Sequence, residues 1–411
     1  MTDTGVRAHE PCVVVGAGPV GLTAAVALAG QGVRVLVLEA EPRDRVRPGS
    51  RAIGFFFPTL ARWEKIRPGM GESIAEAGNV LAGSDAYYGD KHVLKMRLTP
   101  ALSRRLARTL SQRKVEEILY AEAIKLGVEF RWACPVAGVT TCPDGVTIVL
   151  GSGELISAPY VIAADGARSA VRKALGITMD GYTDPTPFII VDVDERPDGS
   201  TPLTPAFFQY SRPELDGRNV MYMPFAGGMR VDLQCKPDDD ADYLSSPEGV
   251  REWLPKIVDP WYAEHVQWIS MYRFHQVVAD TYTDPHHRVL LAGEAAHLFA
   301  PWGGRGLNSG VFDATDAATA IADALRAPNP EKARTMIERC ATDRRAWGLR
   351  NRAVSSKGLR VMRGEDRITR AQRALAARLA PVVWPAGFWL ANAPVQLKLP
   401  RPGSLKSSRY Y

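Results

Sequence analysis

At 411 residues the chain can bury a sizeable core and hold two domains, and 46% hydrophobic content without a low-complexity tract marks a globular protein. Its charge is uneven: residues 352–411 carry 12 Lys and Arg against Glu365 and Asp366, residues 179–278 carry 8 basic and 17 acidic side chains, and the overall +6 is a basic tail on an acidic body. Basic residues interleaved with stacking aromatics are not organised anywhere in the body and the five cysteines form no CxxC pair, which argues against a nucleic-acid surface, a zinc site and a disulfide framework. No basic region followed by a long apolar stretch opens the chain, so the expectation is a cytoplasmic protein with reduced thiols.

The first elements are the most informative. Cys12-Val13-Val14-Val15 reads as a buried strand running into Gly16-Ala17-Gly18-Pro19-Val20-Gly21, where glycines permit a tight turn and close approach of backbone to a pyrophosphate. Leu22 to Gly30 is Ala-rich and helical, and the apolar run Val33 to Leu38 suits a central parallel strand. Glu39 stands 18 residues after Gly21, near the roughly 20 expected of an acid that accepts both hydroxyls of an adenosine ribose. An acid there suits a free 2'-hydroxyl, as in FAD or NAD, and not NADP. A glycine-rich turn in some other α/β protein is the alternative, and the strand, helix and acid standing in register argue against it.

A loop with Arg43, Arg45, Arg47 and Arg51 follows, then a helix and strand over residues 111–130. Val146 to Leu150 and Leu155 to Ile162 read as two strands about a Gly-Ser-Gly turn. Ala163-Ala164-Asp165-Gly166-Ala167-Arg168-Ser169 comes next. From about residue 179, Pro and Asp become frequent and aromatics cluster at Phe207, Phe208, Tyr210, Tyr222 and Phe225, as in an inserted antiparallel sheet. A buried strand, Val289 to Ala292, leads through Gly293-Glu294-Ala295-Ala296-His297 and Pro301 to a loop, Gly303-Gly304-Arg305-Gly306-Leu307-Asn308, and a helix from Val311 to Leu325. Each glycine-containing segment is a weak signal alone; in this order they describe one ligand, FAD.

Together these residues closely resemble the class A FAD-dependent aromatic hydroxylases of p-hydroxybenzoate hydroxylase type, over roughly residues 10–350. The resemblance implies an α/β fold: a Rossmann-like FAD-binding domain from residues 1–75, 103–178 and 279–352, an inserted, mainly antiparallel substrate domain from 76–102 and 179–278, and a basic C-terminal helical or extended segment, 353–411. It implies non-covalent FAD held by Gly16, Gly18, Pro19, Val20, Gly21, Glu39, Arg51, Gln112, Asp165, Glu294, Gly304, Leu307 and Asn308, and no metal. Glu294 departs from the family's usual Asp, keeping the acceptor oxygens but adding a methylene. The implied reaction is reduction of FAD by NADPH or NADH, oxygen capture as a C4a-hydroperoxyflavin, and hydroxyl transfer to an electron-rich aromatic carbon. Amides of the 303–308 loop would stabilise charge on the reduced ring, and Pro301 with a dry pocket would protect the hydroperoxide.

Substrate residues are read from the inserted sheet. Tyr222 and His275 are candidates to deprotonate a phenol, or else structural residues. Phe208 and Tyr222 are candidate ring contacts, and Arg230 is either a partner for a substrate carboxylate or a surface charge. The acidic substrate domain opposes anions, which favours a neutral phenolic or polyketide-like ring. Baeyer–Villiger oxygenation on the same scaffold, a lipid-type flavin reductase and a non-catalytic flavoprotein shielding a reactive intermediate stay open; Trp253, Trp261 and Trp268 do not form the Trp-x-Trp-x-Ile-Pro of a halogenase. A homodimer is compatible with the family.

The tail holds an uncharged run, Leu379 to Leu397, after a basic amphipathic helix from Ile368. Pro381, Pro385 and Pro394 would break a membrane-spanning helix, while Trp384 and Trp389 suit an interface. The segment either rests on an anionic membrane surface or packs on the enzyme body, over the active site or a subunit interface. The second reading is the expectation.

Overall fold

The computed structural model describes residues 10–45, 52–81, 83–99, 103, 107–199, 206–364 and 366–394. Its centre is a five-stranded parallel sheet in the order Val289–Leu291, Val161–Ala163, Cys12–Val15, Val35–Leu38, Glu129–Arg131. All four residues of Cys12–Val15 and of Val35–Leu38 are buried, as continuous apolar strands covered on both faces must be. The helix Pro19–Ala29 crosses between these two strands and packs on Arg305–Leu325 and Gln112–Lys125, forming the larger core.

The apolar run expected as one strand from Leu155 to Ile162 is two. Leu155–Ala158 belongs to a three-stranded antiparallel sheet with Gly145–Leu150 and Val136–Cys142, and Val161–Ala163 enters the parallel sheet. Pro159 separates them; it has no N–H to give a continuing ladder, and a run of apolar residues is equally suited to either sheet.

The inserted sheet has eight strands, ordered His297–Leu298, Val266–Ala279, Met179–Asp194, Gly228–Gln234, Arg218–Phe225, Ala206–Arg212, Gly83–Tyr88, Lys91–Arg97. All neighbours are antiparallel except Ala206–Arg212 with Gly83–Tyr88. Period-two alternation gives it two buried faces. Val191, Val193, Val220, Tyr222, Val231 and Leu233 pack against Val250, Trp253 and Tyr262 of the short helices that follow. Phe188, Phe208, Tyr210 and Met221 face the other way, toward Trp302 and the C-terminal helices.

Those helices are Pro330–Arg363, Arg367–Leu379 and Trp384–Asn392. The division expected at residue 352 falls inside the first, because buried Asn351, Ser355, Gly358, Leu359 and Met362 continue its packed face without a break. Gly364, with φ +58, ends it. The described part of the C-terminal segment, to residue 394, is packed on the body: Trp384–Asn392 lies on strands Gly83–Tyr88 and Lys91–Arg97, with Leu390 fully buried, and residues 395–411 lie outside the described residues. No helix among the described residues is long and apolar enough to cross a membrane.

The last anchor carries a stability expectation. The residue four beyond Leu390 is Pro394, which has no N–H, and the Tyr210 hydroxyl donates to the Leu390 carbonyl at 2.9 Å in its place. Tyr210→Phe should cost about 1–2 kcal/mol, read as a lower denaturation midpoint with faster proteolysis within residues 384–394.

Candidate functional site

The carboxyl ends of three parallel strands open into one continuous cavity of about 2300 Å³ that reaches from the glycine turn to the inserted sheet. The strand Cys12–Val15 delivers Gly16 at φ +102, where an added Cβ would stand 2.4 Å from the Ala164 carbonyl oxygen, so only glycine lets the first and second motifs meet. Gly18 caps the helix Pro19–Ala29 without a side-chain bond, leaving its first-turn amides to an anion. Gly16, Gly18, Pro19 and Val20 line the cavity. Gly21 is not in the wall: it sits behind the turn, where a Cβ would stand 1.9 Å from the Gly16 oxygen.

Glu39 lies buried at the mouth of this turn. Its Oε2 accepts the Ala17 N–H at 2.6 Å and its Oε1 the Glu41 N–H at 3.1 Å, so the carboxylate is held rigidly against the cavity. The loop arginines flank it, Arg45 over the Trp132 ring and Arg43 over Tyr120, each at 5.3 Å from the ring centre. Arg47 and Arg51 lie outside the described residues. Gln112 opens the helix Gln112–Lys125 in the cavity wall and donates to Glu116 at 2.8 Å.

Asp165 has one oxygen accepting the Val171 N–H at 3.1 Å, while the other is buried with no partner among the described residues. That orphaned acceptor in the wall, together with the uncapped helix start, fits the hydroxyls and phosphates of a dinucleotide. Arg172, which nothing in the sequence singled out, ties the second motif to the third by donating to Ala295 O at 3.0 Å and Ala167 O at 3.1 Å. Burial depresses its pKa, and the nearby Asp165 charge opposes that. Glu294 stands in a 3-10 turn, Gly293–Ala295, exposed to the cavity.

Beneath that turn lies a buried ionic network. Asp313 accepts the Gly293 N–H at 3.1 Å, meets His297 Nε2 at 2.7 Å and accepts from Arg344 Nε at 2.8 Å. Desolvation raises the Asp313 pKa, but the charges and hydrogen bonds of Arg344 and His297 outweigh it and leave the carboxyl below its ordinary 3.8.

The loop expected over 303–308 is mostly helix. Gly303 and Gly304, at φ +80 and +60, turn the chain, and the helix Arg305–Leu325 begins at once with Gly304 as an uncapped N-cap. Its first amides and the positive end of its dipole therefore serve the cavity. Pro301, Gly304 and Leu307 line the wall; Asn308 does not. The Asn308 side chain instead accepts from Thr59 Oγ1 at 2.5 Å and donates to Gly54 O at 2.8 Å and Gly304 O at 2.7 Å, fastening the helix start to the strand Ala52–Phe56.

Beyond this turn the cavity becomes aromatic. Trp302 is buried with Phe188, Phe274 and Phe208 around it at ring separations of 5.6, 6.2 and 6.4 Å. Its place in a glycine-rich loop was the available sequence signal. Phe208 lines the cavity as expected. Arg230 lines it too, but is no surface charge: it is buried and binds Asp232 in a fork at 2.6 and 2.9 Å. Desolvation lowers its pKa, yet Asp232 and Asp192 raise it above the ordinary value.

The two candidate proton acceptors are placed differently. Tyr222 borders the cavity, but its ring packs on the sheet's far face, stacked on Phe207 at 5.2 Å with Val191 and Val231, because alternation sends neighbouring Met221 to the cavity side. His275 is exposed at the cavity rim with Nδ1 2.8 Å from Thr183 Oγ1.

A family model described as an FAD binding domain matches residues 10–348. Para-nitrophenol 4-monooxygenase of Pseudomonas sp. (strain WBC-3) is 32% identical over 330 residues, covering 75% of this chain and 77% of that protein. A 3-(3-hydroxy-phenyl)propionate/3-hydroxycinnamic acid hydroxylase of Mycolicibacterium smegmatis is 28% identical over 90% of this chain, and the chain spans 67% of its length. Among solved structures, p-nitrophenol 4-monooxygenase from Pseudomonas putida superposes with a TM-score of 0.73 at 28% identity, over 93% of this chain and 96% of that one. A ternary complex of aklavinone-11 hydroxylase with FAD and aklavinone gives 0.64 at 26%, over 77% of this chain and 63% of the other.

Two measurements test this site. Glu39→Ala should weaken FAD binding by about 5- to 150-fold, one buried hydrogen-bond partner being worth ~1–3 kcal/mol, as titrated on the apoprotein; unchanged affinity would remove the ribose role. Asp313 has a depressed folded-state pKa, so the stability it contributes is present above about pH 4 and lost as the pH falls through the folded value. Asp313→Asn should therefore be less stable than the parent at pH 7 and lose less on going from pH 4 to 2, compared by denaturant midpoints.

Proposed function

The chain belongs to the class A FAD-dependent aromatic hydroxylase family and is an FAD-dependent monooxygenase, and from that premise we propose that it consumes NADPH or NADH to hydroxylate a neutral phenolic or polyketide-like ring. Bound FAD supplies the redox chemistry, taking two electrons from the nicotinamide and delivering one atom of dioxygen to the ring while the other leaves as water. The observation that carries the reading is the junction within one cavity of an uncapped helix start at Arg305 and the aromatic chamber around Trp302 and Phe208.

In this reading Gly16, Gly18, Pro19 and Val20 cradle the pyrophosphate with the amides of Pro19–Ala29, and Glu39 takes the adenosine ribose. Gln112, Asp165 and Glu294 hold the linker between phosphates and ring, and Arg51 is assigned the pyrophosphate by family resemblance alone. The first-turn amides of Arg305–Leu325, Leu307 among them, would face developing negative charge as preorganised donors in a water-poor site, while the Gly304 N–H is already given to Pro301 O at 2.8 Å and Gly304 shapes the turn. Gly21 and Asn308 act one layer back, one by letting the turn close and the other by fixing the helix start. The Pro301 wall and the aromatic cage exclude water.

The substrate ring would lie against Phe208, with Arg230 donating to a ring oxygen. Because Asp232 already neutralises that guanidinium, the contact does not call for a carboxylate partner, and the acidic sheet around it disfavours one. Tyr222 supports the sheet from behind and is not retained as a proton acceptor; His275, at the rim, keeps that assignment for a phenol whose hydroxyl reaches it.

The test is NADPH or NADH oxidation by FAD-loaded protein in air, with and without phenolic probes, followed by mass spectrometry. The expected outcome is probe-stimulated oxidation and a product heavier by one oxygen with the ring carbon count unchanged and an added aromatic hydroxyl. A ring-expanded lactone, or oxidation indifferent to every probe, would overturn the proposal.

A further inference from the structure

The matched family segment ends at residue 348, yet the cavity wall does not. Phe388, Ala391 and Asn392, all on the helix Trp384–Asn392, line it. This helix is held in place at several points. Leu390 is fully buried, its carbonyl accepts from Tyr210, and Gly387 comes so close to the edge strand that a Cβ would stand 2.7 Å from the Val93 oxygen. The Phe388 ring stacks on Trp384 at 5.0 Å and 18°, so it is braced from the solvent side and half-buried against the cavity. Ala391, by contrast, is small and buried in the same cluster as Phe208 and Trp302.

Size makes this wall informative. A cavity of about 2300 Å³ is more than twice the ~300–1,000 Å³ typical of a site for one ligand. Part of that volume is the dinucleotide's, and the remainder reaches from Phe208 and Trp302 to Phe388 and Ala391 on the C-terminal helix. A substrate of one ring would leave apolar wall there without contacts, and an extended flat one would cover it. Charge restricts the class further: Arg230, the buried cation of the chamber, is already matched by Asp232.

We propose that Phe388, Ala391 and Asn392 form a substrate subsite for the part of a neutral, fused-ring aromatic that extends beyond the ring undergoing hydroxylation. The subsite rests on the monooxygenase reading given above and goes beyond it in naming a ligand shape and the residues that select it. Phe388 supplies an aromatic contact for the distal ring, and the smallness of Ala391 leaves room for it.

Calorimetric titration of the FAD-loaded enzyme with phenol, 2-naphthol and a hydroxyphenanthrene tests the subsite. The parent enzyme should bind the three-ring probe at least about tenfold more tightly than phenol, given the added apolar area. Phe388→Ala should weaken the three-ring probe by about fivefold and leave phenol within about twofold. Ala391→Leu, which fills the space, should weaken the three-ring probe by about tenfold or more, again sparing phenol. Flavin content and melting temperature report whether each variant is folded, and Phe388→Ala, altering a half-buried side chain, remains informative if Ala391→Leu is not. If the parent binds the probes and both folded variants keep its order and ratio of affinities, or if it favours phenol, the subsite is overturned while the monooxygenase reading stands. If no probe binds the parent enzyme, the aromatic-substrate reading falls and takes the subsite with it.

Discussion

The parallel pairing of Val13–Val15 with Val161–Ala163, and of that strand with Val289–Leu291, is the constraint on which the rest of the molecule depends. Strands separated by well over a hundred residues are brought to a common end, and each then continues directly into one of the three motifs. A dinucleotide is an extended ligand that no single turn can surround, so its site has to be assembled where several strands terminate together. The glycine at position 16 is the local expression of this constraint, since the first and second strand ends approach too closely there for any side chain.

Polar residues behind the motifs keep those ends aligned. Arg172 spans the second and third motifs, Asp313 holds the Gly293 amide and the His297 ring while paired with Arg344, and Asn308 fastens the start of Arg305–Leu325 to a neighbouring strand. Each of these side chains is buried with partners already in place, and a buried charge left without its partner is costly enough that such arrangements resist small displacement. The practical consequence is a rigid cradle in which the amides facing the cavity need not reorganise when charge appears.

The chamber next to that cradle is built differently. Its floor is one face of an eight-stranded sheet, its roof is Trp302 and the C-terminal helices, and the Arg230–Asp232 pair is buried in its wall. The cofactor half is thus defined by backbone and short polar contacts, whereas the substrate half is defined by aromatic surface and volume. Changes in the second half can alter what is bound without disturbing the first, consistent with the C-terminal wall lying outside the matched family segment.

Much of the cofactor half was legible in the amino-acid order, because close backbone approach, an uncapped helix start and an acid after the second strand each demand particular residue types at short spacing. The same local rules placed Cys12–Val15, Val35–Leu38 and the helices at 112–125 and 367–379 to within a few residues. They failed where two outcomes share one pattern. Leu155 to Ile162 is apolar enough for either of two sheets, and only Pro159 with the neighbouring strands divides it; residues 305–308 read as loop by their glycines, yet Gly304 merely caps a helix. The substrate half was least legible, since which face of a strand meets the cavity is set by pairing register: Tyr222 turns away and Met221 turns in, although both lie on the same strand of the expected sheet. Sequence by itself determined the ligand chemistry, carried by motifs whose physics is local; tertiary structure alone decided that Arg230 is buried and paired, that Arg172 and Asp313 support the motifs, and that the C-terminal helix closes the chamber, because each depends on contacts between residues distant in the chain.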